Sequence, residues 1–228
     1  MINIYHDLLE IVGLFSSERI NNKDNLIEIG NSFYNIDKSL QKLWIELVNK
    51  SGLFTDDECN KYWNEFNRDT TQNHILKIYS YAEIDNKDKL HDLIQYRINN
   101  LILASVTEMP VDIARVIYEI YKTDYICTSL KPYVWYKYEN NKWNKLKKDT
   151  IIVELHGIIM SVLLAEYSKI ISVYNKKAIN EPIDENKDMY LVKSKYLQDI
   201  IFKLKDRKFR KKIIKECKYM FYNGEFEN

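Results

Sequence analysis

The chain has 228 residues, of which 46% are hydrophobic and 29% are charged, and its formal net charge is +1. This length allows one large or two small globular domains, and the composition excludes a disordered chain. The three cysteines, Cys59, Cys127 and Cys217, are far apart in sequence, so they suggest neither a disulfide framework nor a clustered metal site, and we expect an intracellular, reducing compartment.

Apolar periodicity of 3.6 residues dominates the first half of the chain. In the segment 40–48 the apolar residues fall on one stripe of a helix, which needs partners such as the segments 26–34 and 59–66. Thr55 and Glu58 have the spacing of a capping box, which predicts a helix start there. We therefore predict a helical domain over residues 1–84.

A polar tract, Asp85–Lys89, follows a short predicted helix and is interpreted as a solvated connector at a domain boundary. Apolar residues between 90 and 102 predict a connecting helix, which we assign to residues 85–108. Pro110 suits the first turn of a further helix. The second predicted domain covers residues 109–228.

The period changes at about residue 125, where β-branched and aromatic residues become frequent. The pair Asn140-Asn141 can accept positive φ angles and so favours a tight turn. The sequence therefore predicts a mainly α fold of two helical domains, the second carrying a small antiparallel β-hairpin at about 125–147. Its aromatic residues could either stack on bases or pack on adjoining helices; those we assign to the structural hairpin are Trp135, Tyr136 and Trp143.

The longest apolar segment, residues 151–164, is interrupted by Glu154, His156 and Gly157. It is shorter than the ~20 apolar residues that a bilayer span needs, and no signal peptide is visible. We therefore predict a buried helix and no membrane partner.

Sequence motifs for catalysis are missing. The glycines are isolated, so no phosphate-binding loop of the G-x-x-x-x-G-K-[ST] type can form, and the four histidines lack the spacing of a zinc site. Adjacent carboxylates occur, but one group lies at a predicted helix start, where negative charge is favourable. We predict no catalytic residue, no metal and no cofactor.

The strongest charge feature is the segment 203–218, which carries nine basic and two acidic side chains. Such a cluster can neutralise phosphates of a nucleic acid, and the alternative is a solvated helix face whose opposite face is buried. The candidate nucleic-acid-binding residues are Lys203, Lys205, Arg207, Lys208, Arg210, Lys211, Lys212 and Lys215.

Two runs, PVDIARVIYEIYKTDYICTSLKPYVWYKYENNKWNKL and YLQDIIFKLKDRKFRKKIIKECKYMFYNGEFEN, carry a resemblance to a known family. They are similar to the domain that precedes the superfamily 3 helicase in poxvirus-type primase-helicases of nucleocytoplasmic large DNA viruses. The segment 8–66 resembles the helical module called primase C-terminal domain type 2; its marks include Leu43-Trp44 and the spacing of Cys59, Trp63 and Phe66.

The resemblance implies a middle region of such a protein, with a primase before it and a hexameric, NTP-dependent helicase after it. It implies a non-catalytic module that links the two, supports ring assembly and contacts single-stranded or forked DNA, in the host cytoplasm. The expected partners are the primase and helicase domains of the same chain or complex and further copies of the chain. The alternative is a stand-alone protein-interaction scaffold of the replication machinery that does not bind DNA.

Overall fold

The protein is described by a computed structural model that covers residues 4–180, 185–224 and 226. Helices make up most of these residues and are accompanied by one three-stranded sheet, so the predicted mainly α fold is confirmed. Contacts divide the chain into two units. The first comprises Met1–Leu93 with Tyr138–Trp143, and the second comprises Ile94–Lys137 with Asn144–Asn228.

The first unit is built from short helices around one apolar core. The predicted capping box is present, because Thr55 accepts from the backbone of Glu58 and the Glu58 side chain accepts from the backbone of Thr55. The helices are α1 (Ile4–Val12), α2 (Ser17–Ile20), α3 (Lys23–Ile36), α4 (Gln41–Ser51), α5 (Asp56–Glu65) and the first part of α6 (His74–Ala104), with a 3-10 turn at Lys38–Leu40.

Trp44 lies at the centre of this core. Its side chain is fully buried, and its indole Nε1 donates a hydrogen bond to the carbonyl oxygen of Leu26 at 2.8 Å. Trp63 and Phe66 pack against the indole with ring centroids 5.8 and 5.6 Å away. The apolar stripe of α4 is therefore covered by α3 and α5, as its periodicity predicts.

The tract Asp85–Lys89 lies at a kink in α6, and Lys87, Asp88 and Lys89 are exposed, as its polar composition suggests, whereas Asp85 and Asn86 have partners. Asp85 accepts hydrogen bonds from Arg19 Nε at 2.7 Å and from the backbone N–H of Ser16 at 2.9 Å. Asn86 has non-helical backbone angles, and its side chain donates to the carbonyl oxygen of Leu14 at 2.8 Å. Partners distant in sequence therefore hold this polar tract in place, and they leave a kink in α6.

The second unit packs helices against the sheet around a separate core. Pro110 occupies the first turn of α7, as predicted. The elements of the second unit are the end of α6, a 3-10 turn at Ser105–Thr107, α7 (Pro110–Tyr121), β1 (Tyr125–Leu130), most of β2 (Tyr133–Glu139) and of β3 (Lys142–Leu146), α8 (Lys148–Ile158), a π-helical turn at Ile159–Leu163, α9 (Leu164–Asn180), α10 (Glu185–Lys205) and α11 (Arg207–Met220).

The strands lie in the order β1-β2-β3, with β1 antiparallel to β2. Asn140 and Asn141 have φ angles of 55° and 58°, which confirms the predicted turn with positive φ at both positions. Beyond α11 the chain returns to β1, where the N–H of Cys127 donates to the carbonyl oxygen of Phe221 at 2.9 Å. This bond joins the end of α11 to the sheet.

The helical run from Lys148 to Ile179 is longer than the apolar segment predicted from the sequence. By length and composition alone, this run of 32 residues could cross a membrane. One face of it lies in the core of the second unit, where Leu155, Ile159 and Leu163 are buried.

Candidate nucleic-acid interface

The basic segment 203–218 spans the end of α10 and most of α11, with Asp206 between the two helices. The carboxylate of Asp206 accepts from the backbone N–H groups of Lys208 at 3.2 Å and Phe209 at 3.0 Å. These backbone hydrogen bonds lower the pKa of Asp206 below its ordinary value. Asp206 is thus the N-cap of α11, and it forms no ion pair with a basic residue that the structure describes.

Helix α11 has one buried face and one strongly basic face. Ile213 and Cys217, four residues apart, are fully buried in the core, with Phe209 packed beside them. The helix carries seven basic side chains and one acidic side chain. The buried face of the second interpretation is therefore present, and the basic side chains lie on the other side of the helix. Phosphate binding by these side chains stays a prediction.

The structure separates the eight candidate residues into two groups. Lys203 forms an ion pair with Glu108, and Arg210 is bonded inside the unit. The other six are exposed and form no ion pair with a residue that the structure describes: Lys205, Arg207, Lys208, Lys211, Lys212 and Lys215.

Arg210 closes the end of α10. Its Nη1 donates to the carbonyl oxygens of Leu204 at 2.8 Å and Lys205 at 2.7 Å, which have no partner within their own helix. Its Nε donates to Nδ1 of His156 at 3.2 Å. Because Arg210 is always protonated, His156 accepts through Nδ1 and carries its own proton on Nε2. Nε and Nη1 of Arg210 are thus already engaged inside the unit.

The exposed lysines of α11 form a continuous stripe. Lys208, Lys212 and Lys215 follow one another at helical spacings of four and three residues, and Lys211 lies next to them. One edge of this stripe, at Lys211 and Lys215, borders a groove. Lys208 and Lys212 do not line the groove.

The groove lies between α11, α8 and β2 and has a volume of about 340 Å³. Apolar atoms form most of its surface, and no acidic side chain contributes to it among the residues that the structure describes. The lining consists of Tyr133, Trp135, Lys148, Ile151, Ile152, Leu155, His156, Lys211, Ile214, Lys215 and Lys218.

The pKa of His156 is affected by the positive charges of this region. Burial lowers the pKa of its imidazole, and the charges of Arg210, Arg207 and Lys211 lower it further. The imidazole is therefore neutral at pH 7, because burial and the neighbouring cations both disfavour its protonated form. An anion bound nearby would offset these charges.

The aromatic residues of the hairpin lie in different environments. Trp135 is 4% exposed and packs against Phe221 with centroids 5.5 Å apart. Tyr136 is half-buried against Phe226, at 5.3 Å. Trp143, in the hairpin tip that belongs to the first unit, is half-buried, and its Nε1 donates to the carbonyl oxygen of Gln72 at 3.3 Å. None of these three rings is an exposed stacking platform.

Of the groove residues outside α11, sequence reasoning singled out Trp135 alone, and only as a structural residue of the hairpin. Lys148 lies in an ordinary polar loop of the sequence, and Tyr133 is one of 18 tyrosines. Ile152 belongs to an apolar segment that was assigned as a whole to the core. The excess of basic over acidic side chains in α11 was the signal in the sequence that could have indicated a charged surface beside this helix.

Comparison with known proteins gives one informative similarity. No protein-family model matches the chain. Over 217 residues, 95% of its length, the chain is 25% identical to the Acanthamoeba polyphaga mimivirus protein named "Putative helicase L207/L206". The chain spans 22% of the length of that protein. The chain is thus similar to a helicase-related protein of a large DNA virus.

Proposed function

We propose that this chain is a non-catalytic, DNA-binding module of a viral replication protein, in which it links a primase to a helicase. Similarity over 95% of the chain to a protein named as a helicase, of which the chain spans 22%, supports a module within a larger machine. Its partners are single-stranded or forked DNA, the primase and helicase domains, and further copies of the chain in a ring.

The lysine stripe of α11 is the observation that carries the DNA-binding part. Lys208 and Lys212, like Lys211 and Lys215, are like charges four residues apart, which destabilises a helix. Basic residues in the first turn also oppose the helix macrodipole. This charge therefore does not serve the stability of α11. Phosphates neutralise such a stripe and supply the sequence-independent part of DNA affinity.

DNA affinity tests the proposal through the two lysines of the stripe that do not line the groove, Lys208 and Lys212. We expect labelled single-stranded and forked DNA to bind the wild-type chain at low salt, as measured by fluorescence anisotropy. Each phosphate contact is worth about fivefold in affinity near 0.1 M salt, since the exponent for single strands is about 0.7 per contact. The double variant Lys208→Ala/Lys212→Ala should therefore bind about 25-fold more weakly.

A matched control is available within the same unit. Lys176 on α9 and Lys195 on α10 are exposed and form no ion pair with a described residue. The variant Lys176→Ala/Lys195→Ala removes the same charge and should retain wild-type affinity to within about twofold. Equal losses in the two double variants would show that only net charge matters, and absence of binding in the wild type would refute the DNA-binding part.

A further inference from the structure

The groove beside α11 combines an apolar floor with a cationic rim. Ile151, Leu155 and Trp135 are buried at its base, and Ile152 and Ile214 are half-buried beside them. Exposed apolar area of this kind has an unfavourable contact with water, about 25 cal/mol for each Å² that a ligand could cover. A ligand with apolar groups would gain from covering it.

The rim of the groove selects a negatively charged ligand. Lys148, Lys211, Lys215 and Lys218 line it together with neutral His156. No carboxylate among the residues described in the structure lines the groove to balance them. The ligand that complements this surface is therefore both apolar and acidic.

A nucleobase fits the groove less well than an aliphatic or aromatic side chain. Bases bind by stacking on an open aromatic face. The aromatic ring at the rim belongs to Tyr133, and the ammonium groups of Lys218 and Lys148 lie 4.6 and 5.9 Å from its centroid. Cations thus engage this ring already, and the remaining floor is mostly aliphatic.

We propose that this groove binds an acidic amphipathic segment of a partner protein, whose apolar side chains cover the aliphatic floor and whose carboxylates pair with the lysine rim. A volume of about 340 Å³ accommodates a few large side chains from one face of a helix. Charge complementarity with the rim gives the segment its acidic character. The proposal goes beyond DNA binding and does not depend on it.

The test uses a designed probe, a fluorescein-labelled peptide of about 16 residues with leucines at helical spacings of three and four and glutamates elsewhere. We expect saturable binding to the full chain in fluorescence anisotropy, and chemical-shift changes at the methyl groups of Ile152 and Ile214 in NMR spectra. A matched peptide with lysines in place of the glutamates, and another with serines in place of the leucines, should not bind.

Neighbouring residues of α8 give a matched pair of variants. Ile152 lines the groove, whereas Val153 is 70% exposed and does not line it. Ile152→Asn should lower the affinity of the chain for the acidic peptide about tenfold, which corresponds to the burial of one aliphatic side chain. Val153→Asn should leave the affinity for the peptide unchanged. Neither variant should alter DNA affinity, whereas Lys208→Ala/Lys212→Ala should spare peptide binding. Peptide binding can therefore be observed even if the chain does not bind DNA.

Three outcomes would overturn the proposal. The first is no saturable binding of the acidic peptide up to about 1 mM. The second is equal weakening by Ile152→Asn and Val153→Asn, which would place the peptide elsewhere. The third is displacement of the methyl signals of Ile152 by oligothymidylate but not by the peptide, which would make the groove a nucleic-acid site.

Discussion

Replacement of Gly30 by alanine tests the packing of the first unit. Gly30 lies in α3 directly against Trp44, and a Cβ atom at this position would lie 2.5 Å from Cε2 and 2.7 Å from Nε1 of the indole. Neither distance is compatible with van der Waals contact. The indole is fully buried and bonded to Leu26, so it can move only by disturbing the core.

Two opposing effects determine the size of the change. Alanine is better than glycine in a helix interior by about 1 kcal/mol. Overpacking in a core costs about 1–3 kcal/mol, and loss of the buried hydrogen bond of Trp44 costs about 1–3 kcal/mol more. The net expectation is that Gly30→Ala lowers the free energy of unfolding of the first unit by about 3 kcal/mol.

Gly157 provides the control, since it lies in α8 and a Cβ atom there would meet no atom within 4 Å. Gly157→Ala should therefore stabilise the second unit by about 0.5–1 kcal/mol. Hydrogen exchange followed by mass spectrometry reads both changes, because peptides from α3 and α8 report the two units separately. If Gly30→Ala were neutral or stabilising, the contact between α3 and Trp44 would be wrong.

Two further predictions concern single side chains. Arg210→Ala should destabilise the second unit by about 1–3 kcal/mol, because the carbonyl oxygens of Leu204 and Lys205 lose their donor. The control variant Lys212→Ala should change the midpoint of chemical denaturation little. Equal shifts of the midpoint in the two variants would contradict the assigned role of Arg210. Burial lowers the pKa of His74, and its Nδ1 has no hydrogen-bond partner among the described residues. As the pH falls, the imidazole of His74 is therefore protonated in the unfolded state before it is protonated in the folded state. Stability of the first unit should then fall as the pH drops below the ordinary value of about 6.5, and the pH dependence should weaken in His74→Gln, as measured by urea denaturation at several pH values.

Much of the fold follows from local patterns in the sequence. The stripe of α4, the capping box at Thr55, the position of Pro110 and the Asn140-Asn141 turn each depend on neighbouring residues, and each is present. Patterns of this kind are set by backbone geometry and side-chain spacing, so they survive in any tertiary context that buries the apolar face.

The features that sequence patterns did not predict depend on distant residues. The tract at Asp85 has the composition of a solvated connector, yet Arg19 and Ser16, nearly 70 positions away, donate hydrogen bonds to Asp85 beside the kink of α6. The groove likewise requires β2, α8 and α11 to converge. Arg210 is one of several basic residues in this part of the sequence, and only the fold places its guanidinium on the end of α10. Long-range packing, rather than composition, decides these cases.

The salt dependence of single-stranded DNA affinity tests the central claim most directly. If the four lysines of the stripe, Lys208, Lys211, Lys212 and Lys215, each contact one phosphate, log affinity should fall with log salt with a slope of about −3, or about 50-fold between 50 and 200 mM. In Lys208→Ala/Lys212→Ala the slope should fall to about half of that value. A slope that is the same in the variant and the wild type, or a wild-type slope near zero, would show that the stripe on α11 does not hold the DNA backbone.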